Sequence, residues 1–188
     1  MTEIEVKVMG TCHRFKYDAV KMSIANGLRN HALTTVRNAI MAVTPVGAKL
    51  SRKELRARTN LTNEKRNIAA IQIGEMKLVA HSSVHKNNPY FSYFTSGTPD
   101  PNDVLFVSAN KDINDEGNGH SREWDAEAKL FYELQENRKD LLNDPVTIEL
   151  YTHKQPCLSC DYYIIQFLKN YPLVTLNIYF ERPYPDEG

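Results

Sequence analysis

The spacing of apolar residues changes several times along the chain. Residues 3–8 read Glu-Ile-Glu-Val-Lys-Val, a strict alternation that predicts a short strand. The rest of 1–17 has no clear period. From Asp18 onward, Val20, Ile24, Leu28, Ala32, Val36 and Ile40 recur every four residues, the spacing of a buried helical stripe. Asp18 is placed to cap this helix. Gly27 weakens its middle and allows two helices instead of one. Pro45 and Gly47 end it. His31 lies one position off the stripe and reads as a surface or boundary histidine. Ser51 and Glu54 have capping-box spacing and open a short helix over 51–58.

The period then drops to two. Residues 67–73 and 76–84 read as strands joined at Gly74-Glu75, which predicts a hairpin. Residues 85–103 are rich in Asn, Pro and Gly and read as a long loop holding Tyr90, Phe91, Tyr93 and Phe94. Those rings suit either stacking on a nucleobase or anchoring the loop to the core. The apolar run 104–107 predicts a strand. Helix signals begin near Ser121 or Arg122, with Trp124, Ala128, Phe131 and Leu134 at helical spacing, and stop between Asp140 and Pro145. Residues 146–152 form a strand, a helix carries Ile164, Ile165, Phe167 and Leu168 up to Pro172, and 174–180 form the last strand. Strands separated by helices imply crossover connections and parallel pairing in this half. The expected fold is therefore α/β: a mixed sheet of about five strands, a hairpin followed by parallel strands, flanked by helices.

Composition narrows the class. The 188 residues suit one domain, read here as 1–188 with its core over roughly 18–180 and an N-terminal helical, basic extension. A hydrophobic content of 41% with 24% charged residues is that of an ordinary globular chain. No apolar run is long enough to span a bilayer, and no secretory signal is visible at the N-terminus. Net charge is zero, but residues 1–70 carry 13 Lys and Arg against 5 Asp and Glu, whereas 71–188 carry 10 against 18. The basic excess is densest over 49–58, with Lys65 and Arg66 following. That stretch suits either a solvated helix face or a phosphate backbone.

Three cysteines are too few for a disulfide framework, yet two of them form Pro156-Cys157-Leu158-Ser159-Cys160. A CxxC aims two thiolates at one point, which suits zinc. Asp125 and Glu127 open the preceding helix. The first turn of a helix leaves its amides free and is electropositive, so two such helix starts meeting at a metal stabilise carboxylate and thiolates alike. This gives Asp125, Cys157 and Cys160 as ligands, water in the fourth position and Glu127 free to move protons. His120 is an alternative ligand to Asp125. A lone CxxC also suits a redox pair or half of a structural zinc site, and a lone DxE only a capped helix; their joint occurrence favours the metal site.

Asp125-Ala126-Glu127 followed by Pro156-Cys157-Leu158-Ser159-Cys160 resembles the paired signature of the zinc-dependent cytidine deaminase superfamily. Within it the chain is most similar to bacterial polymorphic-toxin deaminases, through Asn67-Ile68-Ala69, His81-Ser82, Asp125-Ala126-Glu127-Ala128-Lys129, Gln166-Phe167 and Tyr171-Pro172. Asp125 stands where most deaminases have His, which adds negative charge. The resemblance implies a cytidine-deaminase-like α/β/α sandwich and a Zn2+-dependent hydrolytic deaminase. In it, Glu127 carries protons from an activated water to N3 of cytosine and to the leaving ammonia. It also implies that the backbone of Ala126 and the carbonyl of Gln155 contact the base, that Asn67 and Ser82 line the pocket, and that Arg122 meets a phosphate. The implied substrate is cytosine in DNA or RNA. The implied setting is a toxin carried by a larger secreted protein, active in a target-cell cytoplasm and held in check by an immunity protein. A free-nucleotide deaminase and a non-catalytic zinc-stabilised binding module are the competing readings.

Overall fold

A computed structural model describes residues 9–20, 22–99 and 124–183. The strand expected over 3–8, the strand expected over 104–107, His120 and Arg122 lie outside them. Five strands and four helices are described: β1 (Thr11–Lys16), α1 (Ser23–Val43), α2 (Arg52–Leu61), β2 (Ile68–Ile73), β3 (Met76–His81), α3 (Ala126–Asn137), β4 (Val146–Lys154), α4 (Leu158–Asn170) and β5 (Val174–Arg182). The sheet order is β1-β5-β4-β2-β3. β1, β5 and β4 run parallel, and β2 is antiparallel to both β4 and β3. The expected α/β architecture and the parallel pairing of β4 with β5 are both present.

Strand alternation divides the core between two faces. Ala69, Ile71 and Ile73 of β2, Ile148 and Leu150 of β4 and Val174, Leu176 and Ile178 of β5 pack against Leu130, Phe131 and Leu134 of α3 and Ile164, Phe167 and Leu168 of α4. Ile68, Ala70, Val79 and Tyr151 point the other way, onto Leu28, Ala32 and Ala39 of α1 and Ala57 and Leu61 of α2. Gly74, at φ 56°, opens the tight β2–β3 turn as the sequence implied. The capping box of Ser51 and Glu54 is formed in full.

The N-terminal third departs from expectation. Thr11–Lys16, which shows no period, is an edge strand on β5. All of its residues except Cys12 are exposed, so no apolar alternation was selected there. α1 starts at Ser23, and Met22 is its N-cap without a side-chain bond. The Asp18 carboxylate accepts from the amide of Val20 in the turn before it. Val20 is 94% exposed and Ile24 half exposed, so the buried stripe begins with Ala25 and Leu28. Gly27 does not split the helix, because the tertiary packing of Leu28 and Ala32 outweighs its propensity cost of about 1 kcal/mol. In the long loop the rings divide their roles. Tyr90 and Phe94 are buried, while Phe91 and Tyr93 remain exposed. Beyond them the Thr95 amide donates to the Val79 carbonyl at 2.7 Å, laying the loop along the edge of β3.

Candidate active site

The start of β2, the end of β3, the end of β4 and the starts of α3 and α4 meet at one end of the sheet. Asp125 is the N-cap of α3 and Cys157 that of α4, both with extended backbone, so their side chains sit ahead of the free amides of each first turn. Oδ2 of Asp125 lies 3.4 Å from Sγ of Cys157 and 3.4 Å from Sγ of Cys160. All three ligand atoms lie within 4.8 Å of one another. Zinc bonds of about 2.3 Å to sulfur and 2.0 Å to oxygen at tetrahedral angles separate such atoms by roughly 3.5 Å. The donor set, two sulfurs and one carboxylate oxygen, therefore fits a zinc ion in chemistry and in spacing.

The electrostatics point the same way. The Cys160 thiol is pushed well up by its hydrogen bond with Cys157, by burial and by the charges of Asp125 and Glu127. Acidic groups packed this closely resist ionising together unless a cation joins them.

Glu127 is buried two residues beyond Asp125. Its Oε1 accepts from Asn67 Nδ2 at 2.7 Å and from the Thr152 hydroxyl at 2.8 Å. Burial, then the charge of Asp125, pushes its carboxyl up to about 7, against those two hydrogen bonds. Asn67 is itself fixed on three sides. Its side-chain oxygen accepts from the Lys154 amide at 3.0 Å, its amide donates to Ser82 Oγ at 3.0 Å, and its carbonyl accepts from the Ser82 amide at 2.9 Å. Ser82 thus reaches the site through Asn67. Ala126 is fully buried at the first turn of α3. Gln155 follows β4 immediately before Pro156, its amide donating to the Arg182 carbonyl at 2.8 Å. The fold brings together Asp125, Ala126, Glu127, Cys157 and Cys160, with Asn67 bonded to Glu127 and Ser82 behind Asn67.

Thr152, which gives little signal in the sequence, and Lys129, the last residue of the 125–129 motif, complete this region. Thr152 continues the inward face of Ile148 and Leu150, and a hydroxyl ending an apolar face was its only mark there. Lys129 is fully buried, one turn beyond Asp125. Its Nζ donates to the carbonyls of His81 at 2.8 Å and Val84 at 2.7 Å, tying the turn after β3 to the helix that carries Glu127. Burial brings its ammonium down to about 7. Trp124, expected on the buried stripe of α3, lies before the helix and is 41% exposed. The chain turns into the helix only at Asp125, so the stripe starts later.

An α/β sandwich whose helix starts present a metal-competent Asp/Cys/Cys group beside a buried glutamate has the layout of a hydrolytic deaminase. The family comparison agrees: residues 40–182 match the model of the Toxin-deaminase family, described as the BURPS668_1122 family of deaminases, and the chain belongs to that family. No curated protein and no solved structure matches the chain at a significant level. No helix among the described residues is long and apolar enough to cross a membrane.

Proposed function

We propose that the chain is a zinc-dependent deaminase of cytosine in nucleic acid, working as a toxin domain. Asp125, Cys157 and Cys160 would hold the ion, which when bound lowers the pKa of a water molecule. Glu127 takes a proton from that water and passes it to N3 of the base as C4 is attacked. It would then carry the second proton of that water, given up by the new C4 hydroxyl, to the exocyclic nitrogen, so that the C4–N bond breaks and ammonia leaves. Asn67 and Thr152 hold one carboxylate oxygen of Glu127 in place through this exchange. The backbone of Ala126, in the middle of the first motif, is assigned to the base carbonyl, the carbonyl of Gln155, just before Pro156, to the amine, and Arg122 to a phosphate.

The observation that carries this reading is the burial of Glu127, bonded to Asn67 and Thr152, beside the Asp/Cys/Cys group. A structural zinc site needs no buried carboxylic acid next to it. We read the matched residues 40–182 as part of one deaminase domain over 1–188, and membership in a toxin-deaminase family supports the wider setting: carriage within a larger secreted protein, action in a target-cell cytoplasm and neutralisation by a cognate immunity protein.

Ammonia release from cytidine, single-stranded DNA, duplex DNA and RNA tests the reaction and ranks its substrates. Glu127→Gln is expected to keep about one zinc per chain by metal analysis while losing at least about a hundredfold in turnover, the usual range for a general acid–base. Full turnover in that variant, or metal-free wild-type protein that is fully active, would refute the mechanism.

A further inference from the structure

The mouth of the site carries features that a free nucleotide would not use. Trp124, immediately before Asp125, presents an exposed indole. The ring of His85, on the turn held by Lys129, meets it at 4.6 Å between centroids and 73° between planes. Burial, then the charges of Lys129 and Arg66, keeps His85 down to about 4, so it is neutral near pH 7. Its Nδ1 is buried and has no hydrogen-bond partner among the described residues.

A run of cations leads away from this pair. Residues 49–66 hold seven Lys and Arg (Lys49, Arg52, Lys53, Arg56, Arg58, Lys65, Arg66) against Glu54 and Glu64, a balance of 7 − 2 = +5. α2 buries only Ala57 and Leu61, leaving Arg52, Lys53 and Arg56 facing solvent. Among the described residues the two acids are engaged elsewhere, Glu54 in the capping box and Glu64 with Arg182 at 3.0 Å. No described carboxylate pairs with Arg52, Lys53, Arg56, Lys65 or Arg66. Arg66 directly precedes Asn67, so the basic run ends at the wall of the site.

We infer that this surface is a track for single-stranded nucleic acid: Trp124, braced by His85, stacks the base beside the target, and Arg66, Lys65 and the outer face of α2 take the phosphates on that side. The placement rests on the deaminase reading only for which base enters the site. An indole face accepts any base, and guanidinium and ammonium groups accept any phosphate, so the track selects for a polymer and not for its sequence. Ten helical residues span about 15 Å, enough for two or three phosphates.

Fluorescence anisotropy with a labelled oligothymidylate, which contains no cytosine, tests the track without relying on deamination. The proteins are Glu127→Gln and the same background carrying either Trp124→Ala or Arg52→Glu with Arg56→Glu and Arg66→Glu, each checked for an unchanged melting profile. The charge reversals are expected to weaken binding at least about tenfold and to flatten the dependence of log affinity on log salt by roughly 0.7 for each phosphate no longer neutralised. Trp124→Ala is expected to weaken binding about tenfold with the salt dependence kept. With Glu127 restored, both sets of changes lower the ratio of kcat/KM on a cytosine oligonucleotide to kcat/KM on dCMP. Unchanged oligothymidylate affinity in both variants overturns the track; if the charge reversals then weaken binding only to labelled polyglutamate, run as a second probe, α2 belongs to an acidic protein surface instead. Binding that responds as expected in a protein that releases no ammonia would sink the deaminase reading and leave the track standing.

Discussion

The two faces of the sheet solve different problems. The face under α3 and α4 is filled with large side chains, Phe131 against Phe167 at 4.9 Å and against Tyr163 at 6.3 Å, and it runs without a break into the site. The face under α1 and α2 mixes small side chains, Ala32, Ala39 and Ala57, with Leu28, Leu61, Ile68 and Tyr151, and adds polar links. There Tyr151 donates to Glu181 at 2.9 Å, His153 meets the same carboxylate at 3.0 Å and Arg29 pairs with it. The tightly packed face holds the reacting groups in fixed positions. The lighter face leaves whole helices, α2 above all, free to present charge to a partner. One sheet thus separates precision from contact.

Cutting into the packed face should cost most. Phe131→Ala removes a fully buried ring from between Tyr163 and Phe167 and is expected to lower stability by about 3–5 kcal/mol in urea unfolding. A decrease under about 1 kcal/mol would mean that α3 is not anchored as described.

Acid should act on the other face. His81 is buried against Phe94. Its Nδ1 accepts from the Ser83 amide at 3.1 Å, which puts its proton on the other nitrogen, towards the Leu61 carbonyl. Burial, then the charge of Lys129, brings His81 down to about 3, with Arg66 and His85 adding to the effect. Between pH 6.5 and about 3 the unfolded chain therefore binds the extra proton, and His81 costs a few kcal/mol of stability as pH falls through that window, at about 1.4 kcal/mol per unit. His85 adds to this loss, and Glu127, whose folded form is the one protonated below about 7, opposes it. Burial opposes ionisation of Glu181, but its bonds from His153, Arg29 and Tyr151 bring it down to about 2, so its contribution is lost as pH falls below about 4.5. Hydrogen exchange near pH 4 should release the amides of α1 and α2 before those of α3 and α4. Simultaneous release would erase the contrast, and His81→Gln should flatten the slope above about pH 4.5.

The smallest effect is a gain. Gly27 lies within α1, and a methyl group added there meets nothing within 4 Å. Gly27→Ala is expected to stabilise the protein by about 0.5–1 kcal/mol, read as a rise in melting temperature with no change in activity.

Much of the layout was legible from residue order. Hairpin, capping box, PCxxC helix and last two strands depend on neighbours within a few positions, where periodicity and turn chemistry act directly. Thr11–Lys16 was not legible, because an edge strand with solvent on most of its side chains needs no apolar alternation. The true start of the α1 stripe was hidden for a related reason. Val20 and Ile24 have the right spacing, but both are left facing solvent.

The sequence by itself determined that two thiols and two acids stand at helix starts, since three- and two-residue spacings are local and the caps are written into Asp125 and Cys157. Only the tertiary structure decided what faces them. Asn67 and Thr152 are 85 residues apart, and they reach the same oxygen of Glu127 because β2 pairs with β4 in the register that sets Ala69 opposite Thr152. That register follows from burying alternate residues on two faces at once, a condition imposed by the whole sheet and by no single stretch of it.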